Sequence, residues 1–309
     1  MSIDVLQSKI RKLKTPIMVG LDPTRALIPP ELLADCEARL GVGLEALAES
    51  YGLFCKGILD ALKKTVPAVK VQSACFEALG WQGVKVMQEV LAYAKKQGYY
   101  VLLETMRSDV EHIAALTAES VFDGLDFGGE RTFPYPCDGL VLTGYLGSDG
   151  VKPFLPHLQQ EEEAACKNLF IVLRSSNRSA VEVQDLISGD RVIYRAMADL
   201  AQRWNTERVG KFGYGELGAV VAAQSPLALQ DLRKRYDKLF FLVPGLGAQG
   251  GAVKHAAYAF DRLGHGAIVC VSRSVIGAWR EQAGVDYPEA AQKAVEKLKS
   301  QLADHVMVL

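Results

Sequence analysis

The chain has 309 residues, 49% of them hydrophobic and 23% charged, with a formal net charge of −1. That is the composition of a soluble globular protein, with core enough for one large or two ordinary domains. The near-neutral balance excludes a nucleic-acid-coating or membrane-surface protein, so neither nucleic acid nor membrane is an expected partner.

In chain order, MSIDVLQSKIRKLK reads as an amphipathic helix with basic residues, not a signal peptide with an apolar centre. No apolar run approaches the ~20 residues needed to span a bilayer, and the expected compartment is the cytoplasm. Ile17–Leu21 is an apolar strand ending in Asp22-Pro23. A Pro-rich loop, Ile28-Pro29-Pro30, leads to a helical stretch over Leu44–Lys64, and Val66–Gln72 is a second strand with Lys70 embedded in it. A helix over Gly80–Gln97 precedes the third strand, which opens at Tyr99 and stops at Glu104-Thr105-Met106-Arg107-Ser108-Asp109. Helical spacing then resumes, with Ser108 or Asp109 placed to cap it. Asp126–Pro136 is a Gly/Pro/aromatic loop too short for a domain linker. Further strands follow at Gly139–Thr143, Asn168–Leu173, Gly218–Ala223, Leu239–Val243 and Ala267–Val271.

Eight strands alternating with helices, with no composition shift between them, predict a single domain over residues 1–309, an α/β chain folded as a (β/α)8 TIM barrel. Ligands of such barrels gather at the C-terminal strand ends, so the strand tips are the candidate site.

The PGLGAQGG segment, Pro244–Gly251, contains a GxGxxG match, but it lies near the C-terminus and the next strand ends in Ser272-Arg273 instead of an acidic residue. A dinucleotide fold is therefore a poor reading. A phosphate cradle is favoured: glycine N–H groups approach an anion and Arg273 grips it, against the plainer alternative of a connecting turn. Lys70 inside an apolar strand needs a partner, and Glu104 on the neighbouring strand is the obvious one, as a catalytic or a purely structural ion pair. Asp22 is placed to bind a hydroxyl or cap a turn. Ser176 and Asn177 are placed to hydrogen-bond a polar ring, with helix capping as the default. The six cysteines form no CxxC or Cys/His cluster, and the five histidines show no metal spacing and read as surface or capping residues. Neither disulfides nor structural zinc is expected. Glu161-Glu162-Glu163 reads as a solvated helix face.

Taken together, VGLDP (from Val19), VKVQSACFEALGWQG (from Val69), YLGSDGVKPF (from Tyr145), RSSN (from Arg174), PGLGAQGG (from Pro244) and VSRSVIGAW (from Val271) resemble the orotidine 5'-monophosphate (OMP) decarboxylase family in its longer bacterial subgroup. The resemblance implies a homodimeric barrel that uses no metal or organic cofactor and converts OMP to uridine monophosphate (UMP). It implies that Asp22 binds ribose hydroxyls, Lys70 opens a charged catalytic array and Ser176 contacts the pyrimidine. Gln249, Gly250 and Arg273 would hold the phosphate, and Asp109 would reach into the partner's site.

The departure falls at the third strand tip. The family pattern is Asp-x-Lys-Arg-x-Asp-Ile-x-x-Thr, whereas this chain has Glu104, Met106 and Ile113 at the aspartate, lysine and threonine places. Gly144 and Gln224 stand where proline and threonine are usual. Loss of CO2 leaves charge on a ring carbon, and a fixed ammonium must stabilise that charge and supply the proton. A thioether does neither. Losing a general acid costs ~10²–10⁴ in rate. The resemblance therefore implies a nucleotide-binding barrel that has lost most or all decarboxylation. The alternatives are a slow working decarboxylase protonated by water or Lys70, Mg²⁺-dependent sugar-phosphate chemistry at the acidic tip, and a heterodimer partner of an active paralogue.

Overall fold

A computed structural model describes residues 1–158, 167–205, 209–247, 250–282 and 284–309. Among them, eight parallel strands close a barrel. They are β1 (Ile17–Leu21), β2 (Ala68–Gln72), β3 (Tyr100–Glu104), β4 (Gly139–Thr143), β5 (Asn168–Arg174), β6 (Leu217–Val221), β7 (Phe241–Pro244) and β8 (Ala267–Val271). Each strand pairs with the next in the chain, and β8 closes on β1 through Ile17 opposite Val269. Helices lie between strands throughout, which makes this the expected (β/α)8 barrel.

The period of two along each strand divides the core in two. Met18, Ala68, Tyr100, Leu102, Val141, Phe170, Val220, Leu242, Ile268 and Cys270 form the inner cluster. The intervening residues, such as Val19, Val69, Val101, Ile171 and Val269, pack outward with helix residues including Phe54, Ile58 and Val90. Each of these large side chains is fully or almost fully buried, worth roughly 1.5–3 kcal/mol apiece. The same alternation carries the polar residues at the tips to the inside. Lys70 and Gln72 follow Ala68 on its face, and Glu104 follows Leu102.

The helix Ser2–Leu13 closes the N-terminal end of the barrel, its Ile3, Leu6 and Ile10 joining the inner cluster. Its first turn is held by polar contacts. Ile3 N–H donates to Glu216 at 3.1 Å, and Asp4 accepts from the backbone N–H groups of Lys211 and Phe212. With one end of the barrel covered by this plug, the C-terminal rim is the open end of the barrel among the described residues.

Several local expectations are corrected. Pro30–Leu40 is a helix, not part of a loop, because Pro30 occupies its first turn, where a missing N–H costs nothing. Asp126–Pro136 contains all but the first residue of a small hairpin, Leu125–Phe127 paired with Glu130–Thr132. The helix after β3 starts at Glu111 behind Val110, and neither Ser108 nor Asp109 caps it. Ser108 instead donates its hydroxyl to Thr143 O at 2.6 Å, and Asp109 accepts from the adjacent Val110 N–H. His265 is buried against the Leu309 carbonyl, not a surface residue. The cysteines among the described residues are free. The Glu161–Glu163 run lies outside the described residues.

Candidate active site

At the C-terminal rim a cavity of about 240 Å³ is lined by Asp22, Lys70, Gln72, Glu104 and Met106 on one side. Ser176, Asn177, Leu246, Cys270, Ser272 and Arg273 line the rest. Its charged floor comes from three adjacent strands. Lys70 stands opposite Gly20 on β1, and Gln72 opposite Glu104 on β3. Gly20 leaves the room this needs, since a Cβ there would stand 2.9 Å from Ser272 Cβ and 3.2 Å from Asp22 Oδ1.

Lys70 is only 7% exposed. Its ammonium lies 3.4 Å from Asp22 Oδ1 and in close contact with Glu104 Oε2. Burial alone would lower the pKa of this amine, but the Asp22 and Glu104 carboxylates outweigh it and hold it above the ordinary lysine value. Lys70 is thus a firmly charged cation and a weak acid at neutral pH. Beside it the Cys270 thiol is pushed up to about 12 by burial and stays protonated.

Met106 lines the cavity next to this cluster. Its φ of +53° is in the left-handed region, where a side chain costs ~1–2 kcal/mol. The turn is held by its neighbours: Ser108 is tied to Thr143, and a Cβ on Gly150 would meet the Ser108 carbonyl at 2.4 Å. The cations lining the cavity are Lys70 and Arg273, and Arg107 turns away to pair with Glu77 at 2.6 Å. Among the described residues, then, the cavity lining holds no amine besides Lys70.

Arg273 opens a short helix after β8, is exposed, and has no carboxylate partner among the described residues. The β7 loop beside it turns through Gly245 and Gly247, at φ +96° and +71°. Gly250 is exposed and donates its N–H to Gly247 O, and it lies outside the cavity lining. Gln249 lies outside the described residues. Ser176 and Asn177 line the cavity, and neither side chain makes the capping hydrogen bond that was the default expectation.

Asp109 is not brought to the cavity of its own chain. It lies in an outward groove with Met106, Ile113, Leu116 and Leu146. Gln72 and Cys270 are among the cavity residues that received no role from the sequence. Both were within reach of the strand period, two residues beyond Lys70 on β2 and two before Ser272 on β8. Among the described residues no three His, Cys, Asp or Glu side chains converge to hold a metal. The Lys70 ammonium contacts both Asp22 and Glu104, so those carboxylates already have their cation.

Fold and site define a class, the (β/α)8 barrels with a charged cluster and a free arginine at the C-terminal rim. Within that class the chain belongs to the orotidine 5'-phosphate decarboxylase / HUMPS family, whose model matches residues 15–286. It is 32% identical to an orotidine 5'-phosphate decarboxylase of Rhodopirellula baltica over 303 residues, covering 96% of this chain and 97% of the relative. It is 30% identical to one of Clostridium novyi over 304 residues, covering 97% and 98%. Among solved structures, a putative orotidine-monophosphate-decarboxylase from Toxoplasma gondii superposes with a TM-score of 0.75 at 26% identity, covering 98% of both chains. No helix among the described residues is long and apolar enough to cross a membrane.

Proposed function

We propose that this chain binds a nucleoside monophosphate of the OMP/UMP kind at its barrel rim and has lost most or all decarboxylase activity. One observation carries the reading. Met106 and Lys70 line the same cavity, whose other lining cation is Arg273, and Lys70 is already engaged by Asp22 and Glu104. An ammonium so paired is held by its own two carboxylates and does not fully offset them. It leaves nothing to stabilise charge on a ring carbon, and its raised pKa makes it a poor proton donor to that carbon.

The rest of the rim favours retained binding. Arg273 and the adjacent glycine turn suit a phosphate, in which N–H groups and a guanidinium share the anion. Asp22 sits at the cavity for ribose hydroxyls, and Ser176 for the ring edge. Gln249 and Gly250 remain the phosphate-loop residues of the reading. Asp109 serves a second subunit. It lies on an outer face where Met106, Val110, Ile113, Leu116 and Leu146 expose apolar surface, which suits burial against another copy of the chain. The same geometry admits a heterodimer in which Asp109 completes an active paralogue's site.

The test is calorimetry with UMP and OMP, followed by a decarboxylation assay on the same sample and on Met106→Lys. Binding without turnover, with activity emerging in the variant, supports the reading. Turnover of OMP by the unaltered chain at ordinary enzyme rates overturns it.

A further inference from the structure

The chain leaves the barrel after β5 on a long excursion, residues 175–192, before the helix Ile193–Trp204. Its first three residues, Ser175, Ser176 and Asn177, line the cavity. The remainder lies outside the lining, and Val181, Val183, Leu186 and Ile187 are exposed. A loop of this kind would ordinarily move, yet its base is tied by a set of side-chain bonds that the proposed chemistry does not use.

Arg174, the last residue of β5, is 7% exposed and grips Asp185 with both arms of its fork, Nε to Oδ1 at 2.7 Å and Nη2 to Oδ2 at 3.0 Å. Its third nitrogen, Nη1, donates to Ser175 O at 3.1 Å. Next to it, Gln184 Oε1 accepts the Ser175 N–H at 2.8 Å, and Gln184 Nε2 donates to Ser175 Oγ at 3.3 Å. The backbone completes the tie: Gln184 N–H donates to Ala180 O at 2.7 Å, and Gln184 O accepts from Tyr194 N–H at 3.0 Å. Ser175 is therefore held on its N–H, its carbonyl and its hydroxyl. The two residues that follow it have no freedom to swing away from the rim.

We propose that Asp185 and Gln184 are positioning residues for the ligand, clamping the excursion so that Ser176 and Asn177 present their unbonded side chains to the bound ring. The identity of that ligand rests on the proposed function above. The clamp touches no ligand itself, since neither Asp185 nor Gln184 lines the cavity. β5 is separated from β8, the strand before Arg273, by β6 and β7. Ser176 and Asn177 therefore meet a part of the ligand away from the anion grip. Charge-assisted bidentate bonds are the kind that fix geometry, and here they fix a backbone segment two residues from the contact. A first-rank contact that depends on such a support loses affinity when the support loosens.

The experiment compares Asp185→Asn and Gln184→Ala with the unaltered chain, by calorimetry with UMP and with ribose 5-phosphate, which has the anion and sugar but no ring. Gln184→Ala leaves the Arg174 charge paired, so it remains informative should Asp185→Asn fold poorly. The expected result is UMP binding at least about tenfold weaker, a change of about 1.4 kcal/mol, with ribose 5-phosphate within about twofold of its original affinity. A parallel measurement of amide hydrogen exchange should show faster exchange over residues 176–184 and no change in the barrel strands. Equal losses for both ligands, or exchange and UMP affinity both unaltered, overturn the inference. An unaltered chain that binds ribose 5-phosphate but not UMP overturns the nucleotide reading itself. In that case faster exchange over 176–184 still establishes the clamp on the loop, and unaltered exchange removes it.

Discussion

Lys70 on β2 and Met106, two residues past the end of β3, line one cavity, and of the two only the lysine carries a charge. Because Lys70 contacts both Asp22 and Glu104, that corner of the cavity sums to −1 when the three groups carry their usual charges. On the proposed reading, a phosphorylated ligand is drawn to the cavity by its phosphate, at Arg273, and not by a second anionic group near β2 and β3.

The first prediction follows from that charge. UMP and OMP differ by one carboxylate, and the carboxylate would arrive beside Glu104 with no free cation to receive it. The unaltered chain should bind UMP more tightly than OMP by at least about tenfold, and Met106→Lys should narrow or reverse the ratio. The same variant should gain decarboxylation by ~10² or more, the contribution of one general acid. Calorimetry and an absorbance assay check the two halves separately.

How much of this could be read from residues alone follows the strength of the local pattern. The strand tips were legible because short β-rich runs end in polar residues, and Lys70 could be matched to Glu104 because a buried lysine needs a partner and the neighbouring strand ends in one. β1, β4 and β8 carry the expected bounds, while β6 and β7 shift by one or two residues, as strand ends fixed only by tertiary pairing do. The helix Pro30–Leu40 was hidden because proline reads as a breaker unless its place in the first turn is known. Ser108 looked like a cap because its hydroxyl suits one. The Thr143 carbonyl that claims it is 35 residues away and invisible to any local rule. The Arg174–Asp185 clamp escaped for the same reason: nothing in the spacing of an arginine and an aspartate eleven apart shows that a loop folds back between them.

A second prediction concerns the cost of the charged floor. Replacing Lys70 with Met leaves Glu104 and Asp22 facing each other without their cation. Removing one partner of a buried pair costs ~3–5 kcal/mol, and the partial exposure of Asp22 puts the expected loss near the lower figure, about 3 kcal/mol. Lys70→Met combined with Glu104→Gln should recover part of it. Urea denaturation of the single and double variants measures both, and equal stability of all forms would mean that the pair contributes nothing to the fold.

A third prediction isolates the anion grip. Arg273 is exposed and without a carboxylate partner among the described residues, so its removal should leave folding almost untouched. Arg273→Ala should instead weaken UMP and ribose 5-phosphate alike, by about 1.5–3 kcal/mol, the worth of hydrogen bonds to a charged group. Uridine, which lacks the phosphate, should be unaffected by the substitution. A variant that binds ribose 5-phosphate normally would move the phosphate site elsewhere on the rim.

The last prediction lies at the opposite end of the barrel. Glu216 is 1% exposed, and burial pushes its carboxyl up to about 7, against the lowering effect of the Ile3 N–H and the Asn168 amide. A carboxyl whose pKa is higher folded than unfolded holds its proton longer in the native state. Its contribution is thus fully present below the ordinary carboxylate range and is lost as pH rises toward 7. Stability should fall across that window by about 3 kcal/mol through this group alone, the worth of a shift from the ordinary carboxylate value to about 7. Glu216→Gln keeps an oxygen for the Ile3 N–H and cannot ionise, so it should flatten the pH dependence and be the more stable form at pH 8. Denaturation of both proteins at pH 5, 6, 7 and 8 reads this directly. Because Glu216 meets the plug through Ile3, amide exchange in Ser2–Leu13 should quicken with pH in the unaltered chain and not in the variant.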